Sequence, residues 1–466
     1  MNESSLLVLD AAARSYCPGV ALRDLAVSRK AMAFDRPDSG RRRLFDLGIV
    51  LAVPIAAVGS WLWGNALTAA GRRLFLGAAP FHGTYDARIS PAVGVPLAVA
   101  LVVVVAGPGL SERLRWRAAS ALAVLVAAGW AVALAAVDGL AAVAAPLTQP
   151  DEYLADVGRV GSLKALLSSY VQALPTYHTH VRGHPPGALL LLAVLDRIGL
   201  PGPVPAALLV IAAGASAVAA VAITIRVVAD EATARRALPF LVLLPAALWV
   251  ATSLDALFLA VSAWATAAVA VAARRSGLGS LALALAGGIG WGLALHLTYG
   301  VAPLGVLVVA VALVPDRRRT TWVLGLSGVG LLAVFAGFLA FGFNWFAGVW
   351  ATHIEWARGA GPGRPWLYFA VANIAVGAVC VGPAVVAALT RRQPATVARL
   401  VLPVLGALAV ADLVGFYRGE VERIWLPFLF WLAAATAVLP RRSVRWWLAL
   451  QAGTAIAVQL LLRSRW

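Results

Sequence analysis

Apolar runs long enough to cross a lipid bilayer recur along most of this chain, and nothing else in it constrains the fold as tightly. Backbone N–H and C=O groups cannot stay unpaired in hydrocarbon, so each run of roughly 20 such residues must be helical. The runs fall at about 46–66, 90–107, 119–145, 204–226, 237–252, 256–273, 279–296, 301–315, 322–343, 366–389, 398–414, 424–439 and 446–462. The expected fold is all-α, a polytopic transmembrane helix bundle of about 13 spans. Composition agrees. Charged residues make up 13% of the 466, about half of what a soluble surface uses. Cys17 and Cys380 are the only cysteines, which excludes a disulfide scaffold or a zinc ribbon.

In a soluble protein a net charge of +17 would point to nucleic acid. Here the positions of the arginines point to the bilayer instead, and no nucleic-acid partner is expected. Residues 1–45 form a basic tail with Arg14, Arg23, Arg29, Lys30, Arg36 and the cluster Arg41–Arg42–Arg43. No cleavable apolar core precedes the first span, so no signal peptide is expected. With this tail in the cytoplasm, alternation places a series of arginine-rich turns on the same side, as the positive-inside rule requires. They are Arg113/Arg115/Arg117, Arg226/Arg235/Arg236, Arg274/Arg275, Arg317–Arg319, Arg391/Arg392 and Arg441/Arg442/Arg445. Arg72 and Arg73 are the exception. The scheme holds only if 188–200 is not a full span, and its short LLLAVLDRIGL reads as an interfacial or re-entrant helix. The expected organisation is a cytoplasmic tail (1–45) and a transmembrane domain (46–466). The chain is placed in the plasma membrane as a multi-pass protein, with its active face outside.

The external loops are then about 67–90, 146–203, 252–256, 296–300, 344–365 and 415–423. The largest, 146–203, carries most of the unusual residues. Within it, 151–172 has the pattern of an amphipathic surface helix, with Leu154, Val157, Val160 and Leu163 on one face. External acids are Asp86, Asp151, Glu152, Asp156, Asp196, Asp255, Glu355, Glu420 and Glu422. Asp255 stands at a span boundary, where an acid beside hydrocarbon must line a wet cavity, bind something or cap its helix. His178, His180 and His184 have an HxHxxxH spacing that, with carboxylates nearby, is a candidate for a divalent cation. A structural or substrate-orienting role for the same histidines remains open.

In His184-Pro185-Pro186-Gly187 the two prolines fix φ and start a helix at the membrane surface, holding the preceding side chain in place. Glu420-Val421-Glu422-Arg423-Ile424-Trp425-Leu426-Pro427 puts an arginine, which can clamp a phosphate, beside an aromatic suited to the headgroup level. The alternative there is an ordinary interfacial Trp425, with Arg423 paired to Glu420 or Glu422. His296-Leu297-Thr298-Tyr299-Gly300 breaks two spans at the same face. Arg358 and Arg364 lie in a glycine-rich loop able to close over a ligand.

Taken in order, these motifs resemble the GT-C superfamily of membrane glycosyltransferases, which includes protein O-mannosyltransferases and lipid A aminoarabinose transferases. Asp151-Glu152-Tyr153 matches the family's acid-plus-aromatic motif, and His184–Gly187 its KPPL-like or HPPG-like motif. Asp196-Arg197-Ile198-Gly199 matches the short helix that follows, and Asp255 the second acid. Thr298-Tyr299-Gly300 matches the TKG-like break without its lysine, and Arg423-Ile424-Trp425-Leu426-Pro427 the RYxxP-like motif with IW in place of YL. The chain also resembles a group of actinobacterial integral membrane proteins with the same HPPG and ERIWLPF segments. In the family the first acid follows the first span, whereas Asp151 follows the third, so either 46–107 is an added hairpin or Asp86 is the first-loop acid.

The resemblance implies a polyprenyl-phosphate-linked sugar as donor and a glycan, glycolipid or protein as acceptor, with inversion. Asp151 or Glu152 would be the base, and Asp156 and Asp255 secondary or orienting acids. Tyr153, His180, His184, Tyr299, Arg364, Arg423 and Trp425 would bind substrate. Arg423 is the first choice, and His184 the second, to meet the leaving phosphate's charge. No cofactor is required beyond a possible divalent cation. A transporter or lipid flippase is the competing class, and it would more often show midplane acids and inverted repeats. A non-catalytic membrane scaffold is the third.

Overall fold

The computed structural model describes residues 40–251 and 253–465. Of the basic tail, 1–39 lie outside the described residues, while Arg41–Arg43 form the first turn of the first helix, α1 (Gly40–Ala69). A short hairpin, β1 (Gly77–Ala78) and β2 (Phe81–Tyr85), leads to α2 (Gly94–Arg113) and α3 (Trp116–Ala135). Four short helices then occupy the long loop: α4 (Leu154–Val157), α5 (Leu163–Ala173), α6 (Thr179–Arg182) and α7 (Gly187–Arg197). After these come α8 (Pro203–Val228), α9 (Glu231–Val242), α10 (Asp255–Ala272), α11 (Leu278–Leu297) and α12 (Gly305–Ala312). The chain continues through α13 (Arg317–Ala340), α14 (Trp345–Arg358), α15 (Trp366–Leu389) and α16 (Ala395–Leu413). It ends with α17 (Val421–Ile424), α18 (Leu426–Leu432), α19 (Val444–Leu461) and β3 (Leu462–Ser464).

The fold is an all-α polytopic bundle. Among the described residues, α1, α2, α3, α8, α10, α11, α13, α15 and α16 are long and apolar enough to cross a membrane. Three of the other expected spans are interrupted by proline, which lacks the N–H a continuing helix needs. After α9, Pro245 opens a separate 3-10 turn, Pro245–Trp249. A 3-10 turn over Tyr299–Leu304 containing Pro303 precedes α12. Pro427 stands in the first turn of α18, which passes into a 3-10 segment at Ala433.

The arginine-rich turns gather at one end, where they cap helices. Arg274 donates to Val311 O at 2.7 Å, Arg319 to Ala272 O at 3.3 Å, Arg399 to Leu313 O at 3.0 Å and Arg235 to Leu114 O at 2.8 Å. These are carbonyls that a finishing helix leaves unpaired, and a cation there also suits the helix dipole.

Short elements cover the opposite end. β1, β2 and β3 form an antiparallel sheet in that order, with Gly83 opposite Ser464 and Tyr85 opposite Leu462. Gly83 (φ +150°) must be glycine, because a Cβ there would sit 2.3 Å from Arg463 O. The amphipathic helix expected over 151–172 is two helices instead. The segment between Gly158 and Gly161 separates them, and Ser162 Oγ caps α5 by accepting from Ala165 N at 3.0 Å. The segment at 188–200 is short, as expected: α7 has 11 residues, about 16 Å of helix, and cannot span. Its first residue, Gly187, lies against the end of α11, where a Cβ would come within 2.2 Å of His296 O. The glycine of the HPPG motif is therefore fixed by packing.

Candidate active site

Asp255 is the first residue of α10, and the serine before the helix orients it. Ser253 Oγ donates to Asp255 Oδ2 at 2.6 Å, and the Asp255 N–H donates back to Ser253 Oγ at 3.1 Å. Arg423, on the single turn α17, donates from Nη1 to Asp255 Oδ2 at 2.7 Å and from Nη2 to Glu420 Oε2 at 3.0 Å. The same Nη2 lies 3.3 Å from His180 Nε2, and His180 Nδ1 lies 2.8 Å from Glu152 Oε1. An arginine can only donate, so His180 accepts at Nε2, carries its proton on Nδ1 and donates to Glu152. Four segments far apart in sequence are thus joined in the order Glu152–His180–Arg423–Asp255. All four side chains are nearly buried, with relative exposures of 5%, 6%, 5% and 3%. Ionised groups so enclosed are stable only when paired.

A second arginine completes the cluster. Arg364 Nη2 binds Glu420 Oε1 at 3.0 Å, and its Nη1 donates to Arg418 O at 2.7 Å. Glu420 reaches both guanidiniums because its backbone is left-handed (φ +61°), directly after Gly419 (φ +94°). A non-glycine residue there is strained, and such strain persists only where its surroundings enforce it. Burial alone would raise the Glu420 pKa. Arg423 and Arg364 overcome that and hold its carboxyl well below the usual range.

The neighbouring Glu422 behaves oppositely. Its Oε1 accepts the His82 N–H at 2.9 Å, and among the described residues its buried Oε2 has no hydrogen-bond partner. Burial pushes its pKa up to about 7, offset only in part by the His82 N–H. His184 is neutral for a related reason. Its ring lies between Tyr153 and Phe258, with centroids 5.7 and 5.6 Å away, and Nδ1 is 2.8 Å from His180 O. Burial lowers its pKa to about 4, so His184 cannot supply the positive charge expected of it.

A cavity of about 850 Å³ lies near the cluster, within the roughly 300–1,000 Å³ of small-molecule sites; the four cluster residues do not line it, and the link between the two runs through His82 and Arg465. Its walls are the β-sheet, the segment after α3 and the 3-10 turn with Leu248 and Trp249. His82 in that wall feels the charges of Glu420 and Arg423. Arg465, also in the wall, pairs with Asp151 Oδ2 at 3.1 Å.

Several expected roles change. Asp156 is fully buried and holds the loop together: it pairs with Arg159 at 2.7 Å and accepts from His178 N at 2.9 Å and His178 Nδ1 at 3.0 Å. Its carboxylate is enclosed by these partners and reaches neither the cluster nor the cavity lining. The histidine triad does not converge, because His178 turns to Asp156, His180 to Glu152 and Arg423, and His184 to a backbone carbonyl. Among the described residues no group of three or more His, Cys, Asp or Glu is placed to hold a metal ion. Trp425 is buried against Gly377 and Tyr417 rather than exposed. Tyr299 packs edge-on against Trp345 of α14, 5.4 Å between centroids, and the 298–300 break meets Tyr417, which donates to Gly300 O. Arg358 is exposed and pairs with Glu355 at 3.1 Å.

Asp86 pairs with Arg463 at 3.0 Å at the cavity's edge, outside the cluster. Asp151 stands beside Glu152 but is half exposed: Oδ1 accepts from Thr179 Oγ1 at 3.2 Å, and the Asp151 carbonyl accepts from His180 N at 3.0 Å. Sequence reasoning missed Ser253, His82 and the arginines of β3. It treated Glu420 only as a possible partner of Arg423. No protein-family model and no curated protein matches this chain.

Proposed function

We propose that this chain is a membrane glycosyltransferase of GT-C type, transferring a sugar from a polyprenyl-phosphate donor to an acceptor hydroxyl with inversion. The observation that supports this best is the hydrogen-bonded series Glu152–His180–Arg423–Asp255 near a cavity of small-molecule size. In this reading the broken helices also cross the bilayer, giving thirteen crossings. The arginine end lies in the cytoplasm, and the cluster faces outward at the plasma membrane.

Asp151 is the base, because its carboxylate is the accessible one and reaches the cavity wall through Arg465. It takes the proton of the acceptor hydroxyl as the oxygen attacks the anomeric carbon and the lipid phosphate leaves. Glu152 and His180 set the position of Arg423. Arg423 can turn its Nη2 edge to the leaving phosphate while Glu420 stays bound to Arg364, so no carboxylate is stranded. His184, neutral and wedged between Tyr153 and Phe258, shapes the site without donating charge.

The test is a comparison of envelope glycans and lipids between a deletion strain and its parent. Loss of the gene is expected to leave an acceptor lacking one sugar, restored by the wild-type protein and not by Asp151→Asn or Glu152→Gln. Identical glycans and lipids in the two strains, or restoration by both variants and by their double, would overturn the proposal.

A further inference from the structure

The cavity's lining is basic. It includes Arg463 of β3 and Arg465, the residue that follows the strand, and both face the same cavity. Asp138 is the lining's carboxylate, and it is already held by Arg88 Nε at 3.1 Å and Gln459 Nε2 at 3.0 Å. The two lining arginines are engaged differently. Arg463 pairs with Asp86 and Arg465 with Asp151, and in both pairs the side chains keep 41–60% of their exposure. Exposed pairs of this kind are weak and exchange readily for a better anion. The backbone beneath them is fixed: β3 is paired along β2, and Ser464 Oγ accepts from Trp249 Nε1 at 3.2 Å. Two arginines facing one cavity, loosely paired, one on a braced strand and one directly after it, are a preformed anion site.

We infer that Arg463 and Arg465 bind the phosphate or carboxylate of an anionic sugar acceptor in this cavity. The assignment to an acceptor rests on the glycosyltransferase reading, and the exposure of both arginines favours a ligand arriving from water over one confined to the bilayer. Binding has a consequence for the chemistry. When the ligand's anion takes Arg465, the Asp151 carboxylate is released and becomes available to accept the acceptor's proton. An uncharged acceptor leaves Asp151 bound to Arg465.

The experiment measures binding of mannose 6-phosphate, glucuronic acid and methyl glucoside to the full chain in phosphatidylcholine nanodiscs, with and without undecaprenyl phosphate. Both anionic sugars are expected to bind at least tenfold more tightly than methyl glucoside. Arg463→Gln/Arg465→Gln should remove that advantage without altering methyl glucoside binding, and Arg463→Lys/Arg465→Lys should retain part of it. Asp86→Asn, which removes a competitor, should tighten mannose 6-phosphate binding about threefold. Equal binding of charged and uncharged sugars, or unchanged binding in the double glutamine variant, would overturn the inference. Loss of mannose 6-phosphate binding when undecaprenyl phosphate is present would overturn the acceptor assignment, giving the site to the donor's phosphate. Anion binding is read without any transfer step. Its failure with transfer intact removes this inference alone, and the reverse removes the glycosyltransferase reading and with it the acceptor assignment, while the anion site stands.

Discussion

At the end of the bundle where α1 begins, arginines donate to the carbonyls of finishing helices or pair with exposed acids such as Glu112, 3.3 Å from Arg441. At the other end Arg423 is enclosed by Asp255, Glu420 and His180. The same side chain performs two tasks. At the first end many of the arginines close a single helix by meeting its last carbonyls. At the second, one arginine pairs with the buried Asp255 and the partly buried Glu420 and connects their segments.

The sharpest way to break this comparison is Arg423→Met. It leaves Asp255 buried without its cation, while Glu420 keeps Arg364, and should destabilise the protein by about 3–5 kcal/mol, read by thermal unfolding in detergent. Adding Asp255→Asn should recover part of the loss. Simple additivity of the two changes would mean that the pair is not coupled.

Glu422 gives a somewhat smaller and pH-dependent effect. Its folded pKa of about 7 lies above the ordinary glutamate value of 4.5, so the folded protein retains a proton that the unfolded chain has released. Stability therefore falls as pH rises from 4.5 to 7 and levels off above that, by on the order of 3 kcal/mol. Glu422→Gln removes this dependence, and its stability relative to wild type should grow across the same window. A difference that stays constant with pH would place Glu422 in a wetter setting. Smallest of all, Arg441→Gln should cost less than about 1 kcal/mol, because its pair with Glu112 is exposed.

Much of the bundle was legible because length and apolarity alone require a helix in a bilayer. The interruptions at Pro245, Pro303 and Pro427 were not, since a window of apolar residues reads the same whether its helix is continuous or broken. The sheet was missed for a different reason: β2 and β3 pair across nearly the whole chain, and strands of five and three residues leave little trace. Alternation in Leu462-Arg463-Ser464-Arg465 was the available signal. At the site, motif order brought Glu152, His180, Asp255 and Arg423 to attention, but spacing cannot say which way an imidazole turns. His180 became the pivot, whereas His184 was expected to donate charge as second choice after Arg423. Asp156 looked like a third catalytic acid because its burial beneath Arg159 and His178 depends on a turn that only the folded loop shows.

The most direct measurement is the rate of sugar transfer from a polyprenyl-phosphate sugar to its acceptor by the protein reconstituted in liposomes. Asp151→Asn should lower that rate by about 10²–10⁴-fold while thermal unfolding stays at the wild-type temperature. Transfer at the wild-type rate by Asp151→Asn, by Glu152→Gln and by the double variant would contradict the account.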